Sequence, residues 1–321
     1  MGDGASSQEA GPHDLVLVPD NPPPQGAEVI WYEARGLRLR MLYAPEPKDN
    51  HVKTRGLAIV CPGRTEFIEK YFEVARDLQD RGFAVVIFDW PGQGLSERPL
   101  KNPLAGHIKN YTWYVEALVK GLQKIERRAP KAWVLVAHSM GGAISLEALR
   151  MRALSVRAAA FSAPMWGIPI WFFQRWYGYT MRAFGFGAMQ ARPPQPEETF
   201  ENNQLTHDEK RWQLYRRLIE VEPKLALGEP TIAWVVASLN VFRGFFLPNA
   251  LDHIRDLPTL IAMASEETIV KKAAQRKLAR RFKNEKLINV QGAGHEILME
   301  TDERREQFWK GFEDVCRKAG I

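Results

Sequence analysis

The 321-residue sequence has only two cysteines, Cys61 and Cys316, which lie far apart along the chain. Two cysteines can pair, but a protein held together by disulfides usually has more, so a reducing compartment is the simpler expectation. Neither the cysteines nor the seven histidines have the close spacing of a metal site. We therefore predict a fold that depends on no bound metal.

Long apolar runs and charge clusters are also missing. No stretch reaches the ~18 uninterrupted apolar residues that a membrane-spanning helix needs. The first 14 residues lack the basic and apolar segments of a signal peptide. The net charge of +6 is not gathered into the basic stripe of a nucleic-acid-binding protein. We expect a soluble, cytoplasmic protein that binds no nucleic acid and is weakly attracted to anionic surfaces.

The pattern of apolar residues predicts an α/β fold. Residues 1–26 are rich in Gly, Ser and Pro and predict a disordered arm. Alternation over 28–35 and 37–43 predicts an antiparallel hairpin that is half exposed. Apolar runs then alternate with helical periodicity over 27–164 and again over 256–321, which predicts a mostly parallel central sheet flanked by helices. The predicted buried strands are 56–61, 84–88, 132–136, 156–161, 258–263 and 286–290.

The alternation stops between residues 165 and 255. This segment begins with a dense aromatic run, 166–179, and continues with helical periodicity near 208–221 and 229–242. We interpret it as an inserted helical cap. Most of its aromatic residues are expected in the core, and their clustering suits a cap whose underside forms an apolar wall for a substrate. The alternatives are a helical hairpin whose aromatics are all core and a cap that also touches a membrane surface transiently.

One serine lies where a predicted strand turns into a predicted helix. Ser139 is the third residue of the hexapeptide AHSMGG, 137–142. Small residues two positions before and after it, Ala137 and Gly141, allow the sharp strand-turn-helix of a nucleophile elbow. This turn strains the serine backbone and exposes its hydroxyl. Ser139 is therefore the candidate nucleophile.

A serine hydroxyl needs an imidazole to take its proton. In this fold the order along the chain is Ser, then Asp or Glu, then His, each after a strand. Of the seven histidines, only His295 follows the last predicted strand in a glycine-containing loop. His138 adjoins Ser139 in sequence and is expected to point away from it. We predict that His295 is the base.

The carboxylate that orients the base should follow the strand that ends at Met263. No aspartate lies there, but Glu266 and Glu267 do. Asp256 comes before the strand, at the wrong end. Glu267 stands two positions before Ile269 and is preferred, with Glu266 as the alternative.

Acyl transfer creates an oxyanion that needs backbone N–H donors. One is the N–H of Met140, the residue after the candidate nucleophile. The other should come from the loop after the strand 56–61, where Gly63 lets the backbone turn. We therefore assign the oxyanion hole to the backbone of Met140 and Arg64.

With these residues in place, the sequence resembles the α/β-hydrolase superfamily, and within it the group of monoacylglycerol lipases and bacterial lysophospholipases. The segments that carry the resemblance are 62–73, 88–99, 137–142 and 292–309. The second contains the D-x-x-G-x-G-x-S loop of the group, whose role is structural; its residues here are Asp89, Gly92, Gly94 and Ser96.

The sequence departs from the group at two places. Ala137 stands where the elbow usually begins with glycine, and Ser265, Glu266 and Glu267 stand where the group usually has Gly-x-Asp. Alignment of the hydrophobic pair that follows puts Glu267 on the acid position.

The resemblance implies a cofactor-free hydrolase that cleaves carboxylic esters through an acyl-enzyme, often in monoacylglycerols or lysophospholipids. The expected partner is a small ester with an acyl chain. One alternative is a peptidase or amidase of the serine aminopeptidase type, which needs an acidic group to hold a substrate amine. Another is a non-catalytic binding protein with the same fold, which the intact Ser139 and His295 argue against.

Overall fold

Eight strands form one sheet in the computed structural model, which describes residues 15–47, 53–193 and 199–321. The strands are β1 (Glu28–Ala34), β2 (Leu37–Ala44), β3 (Gly56–Cys61), β4 (Phe83–Phe88), β5 (Trp133–His138), β6 (Ala158–Ser162), β7 (Thr259–Ala264) and β8 (Glu285–Val290). Their spatial order is β1-β2-β4-β3-β5-β6-β7-β8. β2 pairs antiparallel with β1 and β4, whereas the other pairs are parallel. The predicted mostly parallel sheet with an N-terminal antiparallel hairpin is confirmed.

Helices cover both faces of the sheet. The α-helices of the described residues are α1 (Phe72–Asp80), α2 (Thr112–Ile125), α3 (Met140–Arg150), α4 (Phe172–Ala183), α5 (Glu209–Val221), α6 (Ile232–Phe245), α7 (Lys272–Ala279) and α8 (Asp302–Lys318). Side chains along a strand point alternately to opposite faces. Leu57 and Ile59 of β3 accordingly join the core that includes α2 and α3, whereas Ala58 and Val60 join the core that includes α1 and α8.

The expectation of a half-exposed hairpin is wrong for β2. Residues 39–44 of this strand are all buried. The reason is that β2 lies inside the sheet, between β1 and β4, so of the two hairpin strands only β1 lies at an edge. Arg40 is one of the polar residues that produce the alternating pattern in β2, but it is buried and does not mark an exposed face.

Residues 15–26 differ from the predicted disordered arm because they bind the core. The N–H of Val16 donates to Glu69 Oε1 at 3.0 Å, and the side chain of Asn21 donates to the Glu69 carbonyl at 2.9 Å. The N–H of Gln25 donates to Gln79 Oε1 at 2.9 Å. The remainder of the predicted arm, 1–14, lies outside the described residues.

The chain between β6 and β7 contains α4, α5 and α6. The expectation that its aromatic residues lie mostly in the core is wrong for the first part of this insertion. Helix α4 packs on α6, and Gly178 is the one residue of α4 that is buried. The large aromatic side chains that are exposed here are Trp171, Phe172, Phe173, Trp176, Tyr177, Phe184 and Phe186. In the part of the chain that the structure describes, no helix has both the length and the apolar character to cross a bilayer.

Candidate active site

The turn between β5 and α3 has the strain of a nucleophile elbow. Ser139 has φ 49° and ψ −116°, a backbone conformation that residues other than glycine rarely adopt. At Gly141 an added Cβ would lie 2.0 Å from the carbonyl oxygen of Cys61, so only glycine fits there. Ala137 is fully buried at the other small position, so the turn accommodates a methyl group in place of the usual glycine.

The structure brings the three side chains of the predicted triad together. Ser139 Oγ lies 2.8 Å from His295 Nε2, and His295 Nδ1 lies 2.7 Å from Glu267 Oε2. All three residues follow strands of the parallel part of the sheet: β5, β7 and β8. The carboxyl ends of parallel strands share one edge, which is why residues 128 and 28 positions apart can meet there.

Glu267, and not Glu266, contacts His295. Its Oε1 accepts hydrogen bonds from the N–H groups of Ile269 at 2.8 Å and Val270 at 3.1 Å, which leaves Oε2 for the imidazole. Burial opposes the charge of Glu267, but the hydrogen bond and charge of His295 and these two N–H groups outweigh it and lower its pKa. Glu266 is 56% exposed and lies 3.2 Å from His207 instead.

Asp256 lies far from this constellation. Its carboxylate is 70% exposed and 3.6 Å from Lys283, before β7 begins. Asp256 therefore lies at the end of β7 opposite to Glu267, as the sequence predicts.

The backbone N–H groups of Arg64 and Met140, both near Ser139, have no hydrogen-bond partner among the described residues. Met140 is the first residue of α3, where N–H groups are free and the helix dipole is positive. The neighbours of Arg64 are held: the N–H of Gly63 donates to Glu66 Oε2, and that of Thr65 to Gln93 Oε1 at 3.3 Å. Two free donors beside a serine hydroxyl can hold an anion that develops on a substrate.

A buried cluster of charged side chains lies under the elbow, and the sequence argument did not find it. Lys70 Nζ lies 2.9 Å from Glu66 Oε1 and 2.6 Å from Glu296 Oε1. The Tyr71 hydroxyl donates to Glu66 Oε2 at 2.6 Å. Burial disfavours the charge of Glu66, but its neighbours, Lys70 first, lower its pKa to about 2. The i,i+4 spacing of Glu66 and Lys70 was the available sequence signal.

This cluster also has the donors of a metal site. The ligand atoms of Glu66, His138 and Glu296 lie within 4.8 Å of one another, and all three residues are buried. The ammonium of Lys70 contacts both carboxylates, so the chain itself supplies the cation that balances them.

His138 lies beside the candidate base. Its ring centroid is 4.9 Å from that of His295, and its Nδ1 is 3.1 Å from the carbonyl oxygen of Ser162. Adjacency to Ser139 in sequence thus turns His138 away from the serine but toward His295, which was not expected. Burial lowers the pKa of His138 to about 4, although the nearby Glu66 carboxylate acts in the opposite direction, so this ring is neutral near pH 7.

The loop 88–99 is structural. Asp89 accepts a hydrogen bond from Arg40 Nε at 2.7 Å, and Arg40 also binds Glu69; all three side chains are buried. At Gly94, where φ is 54°, an added Cβ would lie 2.1 Å from the Asp89 carboxylate. Glycine is therefore required for the loop to close over this ion pair.

The insertion touches the loops that form the site. The carbonyl of Gln204 accepts the N–H of His295 at 3.2 Å, and the carbonyl of Leu205 accepts that of Glu296 at 2.8 Å. The guanidinium of Arg64 donates to the carbonyl of Gly228. The insertion therefore holds the backbone at His295 and Glu296 and the side chain of Arg64.

A strained serine at the carboxyl edge of this sheet is the combination of fold and site that α/β-hydrolases share. Residues 52–302 match the model of the family described as serine aminopeptidase, S33. The match spans well over half of the sequence, and the chain belongs to this family.

Similar proteins agree with this assignment. The chain is 34% identical over 277 residues to lysophospholipase L2 of Escherichia coli, which covers 78% of this chain and 76% of that protein. It is 30% identical over 287 residues to "Probable lysophospholipase L2" of Haemophilus influenzae, with 86% and 87% covered. A soluble variant of monoglyceride lipase from Saccharomyces cerevisiae has a TM-score of 0.71 at 16% identity, with 91% and 96% covered, and shares the fold. The resemblance to the lysophospholipase and monoacylglycerol lipase group is confirmed.

Proposed function

We propose that this protein is a serine esterase that hydrolyses lipids with a single acyl chain, and that Ser139 is its nucleophile. The observation that carries the proposal is the continuous hydrogen-bond chain from Ser139 through His295 to Glu267. The two relatives named lysophospholipase L2 favour a lysophospholipid as substrate, and the monoglyceride lipase neighbour makes a monoacylglycerol the second choice.

The first half of the reaction makes an acyl-enzyme. Ser139 Oγ attacks the ester carbonyl carbon while His295 Nε2 takes the hydroxyl proton, and Glu267 stabilises the imidazolium that forms. The carbonyl oxygen becomes an oxyanion that accepts the N–H groups of Arg64 and Met140. When the C–O bond to the alcohol breaks, His295 returns the proton to the departing alkoxide oxygen.

The second half repeats these steps with water. His295 removes a proton from water, whose oxygen attacks the acyl carbon. The same N–H groups hold the second oxyanion, and Ser139 leaves with the proton from His295. The products are a fatty acid and the alcohol, and the enzyme is restored. The two half-reactions involve no redox step and no external cofactor.

Labelling by a fluorophosphonate probe tests the nucleophile. The wild type should be labelled, and the S139A variant should not. S145A is a matched control, since Ser145 is also buried in α3 but its hydroxyl donates to the Gly141 carbonyl at 2.7 Å. Equal labelling of the wild type and S139A would show that Ser139 is not the activated serine, and absence of all labelling would favour a non-catalytic protein.

A panel of substrates tests the substrate class. It contains lysophosphatidylcholine, monoacylglycerol, esters of graded chain length and an aminoacyl amide. A peptidase needs a free carboxylate for the substrate amine, but Glu66 and Glu296, two of the buried carboxylates near His295, both contact Lys70. We therefore expect esters to be cleaved and the amide to resist. Faster cleavage of the amide would refute the esterase proposal in favour of the aminopeptidase alternative.

We also propose that the insertion 165–255 is a cap that contacts membrane surfaces through its exposed aromatic residues. Phe172 is 84% exposed and Trp171 73%, and aromatic side chains favour the membrane interface. The double variant W171S/F172S should bind phosphatidylcholine vesicles more weakly than the wild type in a flotation assay. V221S is the control, because Val221 is exposed on another helix. Unchanged binding of the double variant would argue against this contact.

A further inference from the structure

A cavity of about 420 Å³ lies between α6, α7 and the segment that leads into α4. This volume is within the ~300–1,000 Å³ range of small-molecule sites. Its apolar wall includes Trp166, Ile168, Ile170, Leu239, Phe242 and Phe246. Ser139, Glu267 and His295 do not line it, so the proposed mechanism leaves it unused.

Four basic residues line the cavity, and no acidic residue among the described ones does. They are Arg175, Arg243, Lys271 and Lys277. None of them forms an ion pair with another described residue. Lys277 Nζ lies over the Phe246 ring, 5.1 Å from its centroid. Other basic residues of the protein behave differently: Arg211 and Arg305 each contact several carboxylates.

Two of the segments that line the cavity carry no acidic side chain. No acidic residue occurs between Glu147 and Glu197, and none occurs in α6. Like charges held together without a partner repel one another, and an anion relieves that repulsion. The ligand that fits four cations and an apolar wall is therefore an anionic amphiphile.

The position of the cavity indicates where such a ligand comes from. Ile170, in its wall, directly precedes the exposed Trp171 and Phe172, and Arg175 lies on the same helix as the aromatic side chains. The cavity therefore adjoins the surface for which membrane contact is proposed above. A lipid whose headgroup reaches these cations can remain in the bilayer.

We propose that this cavity binds an anionic phospholipid of a membrane, with the phosphate among Arg175, Arg243, Lys271 and Lys277 and part of the lipid against the apolar wall. The proposal rests on the membrane contact of the cap and adds a preference for anionic lipids to it. The apolar wall distinguishes this ligand from a nucleic acid or an acidic peptide, which would use only the cations.

The test compares two kinds of vesicle, pure phosphatidylcholine and a mixture in which about a third of the lipid is phosphatidylglycerol. The test variant is R243Q/K277Q, and its matched control is K120Q/K124Q, which removes the same charge from exposed positions on α2. The wild type should bind the anionic vesicles more tightly, with a preference that falls as salt rises. R243Q/K277Q should lose about fivefold in affinity for each cation removed, and only for the anionic vesicles. The control should retain the preference.

The outcomes distinguish the anionic-lipid site from the membrane contact on which it rests. Equal binding of the wild type to both vesicles overturns the anionic-lipid site and leaves the membrane contact standing. If the wild type binds neither vesicle, both the anionic-lipid site and the membrane contact are overturned. The proposed esterase activity is tested separately, on a dispersed substrate. Equal weakening by the two double variants shows that total charge matters and overturns the assignment to this cavity. If R243Q/K277Q has an altered melting temperature, K277Q alone replaces it.

Discussion

The ammonium of Lys70 lies 2.6 Å from a carboxylate oxygen of Glu296, and both side chains are buried. The same ammonium is 2.9 Å from Glu66, whose other oxygen accepts the N–H of Gly63. One lysine thus balances two carboxylates, and one of those carboxylates holds the loop that presents the Arg64 N–H. A structural ion pair and the proposed oxyanion hole are parts of the same network.

The variant K70M should be strongly destabilised. Removing the cation leaves two carboxylates buried without a counter-charge, and breaking a buried ion pair in this way costs about 3–5 kcal/mol. Urea unfolding measures the free energy of unfolding. K120M is the control, since Lys120 is exposed on α2 and its loss should change stability by no more than about 0.5 kcal/mol. Similar values for the two variants would show that Lys70 does not balance the carboxylates.

The variant E267Q should be folded but should hydrolyse esters about 10³- to 10⁴-fold more slowly, mainly through kcat. A neutral amide cannot stabilise the imidazolium of His295 and does not fix the same tautomer. E266Q is the matched control, because Glu266 is exposed beside His207. Steady-state kinetics with equal enzyme concentrations give the comparison. A larger loss in E266Q than in E267Q would transfer the role to Glu266.

The variant G63A should lower kcat by about 10²- to 10³-fold, the range seen when one oxyanion donor is lost. An added Cβ would lie 2.8 Å from Glu66 Oε2 and 3.2 Å from Ser139 Cβ, so the loop must shift and the Arg64 N–H with it. KM should change little, because the donor acts mainly in the transition state. G178A is the control: its Cβ meets Val236 at an ordinary 3.5 Å. An unchanged kcat in G63A would place the donor elsewhere.

The stability of the protein should fall as the pH is lowered from about 6.5 to about 4. Burial lowers the pKa of His138 to about 4 in the folded state, whereas the unfolded chain has the ordinary value near 6.5. Between these values the unfolded state binds more protons, so the free energy of unfolding rises with pH and falls with added acid. In H138Q this dependence should be less steep by up to about 1.4 kcal/mol per pH unit. Parallel curves for wild type and H138Q, from urea unfolding at a series of pH values, would contradict the assignment.

The regular part of the fold could be predicted because local patterns dictate it. The apolar run 56–61 is β3 (Gly56–Cys61), and the predicted helix after Ser139 is α3 (Met140–Arg150). Runs of this kind can only be buried between two layers of helices, so they imply a parallel sheet. The burial of β2 could not be predicted from its own sequence, because it depends on β4, a partner about 40 residues away.

The burial of the side chains in the insertion 165–255 could not be predicted. Aromatic residues usually lie in cores, yet Trp171 and Phe172 are exposed because α4, which packs mainly on α6, buries only Gly178 among its residues. The ordered path of residues 15–26 could not be predicted either, because their contacts with Glu69 form only in the folded protein.

The sequence by itself determined the class of the protein and the order of the candidate residues Ser139, Glu267 and His295. Small residues around one serine permit a single kind of turn, and chain order on a parallel sheet brings the three residues to one edge. Only the tertiary structure shows that Glu267, and not Glu266, contacts His295, because the N–H groups of Ile269 and Val270 hold one oxygen of Glu267 and leave the other for the imidazole. It also revealed the ion cluster around Lys70, since burial and opposite charge act through space between residues that are distant in the chain.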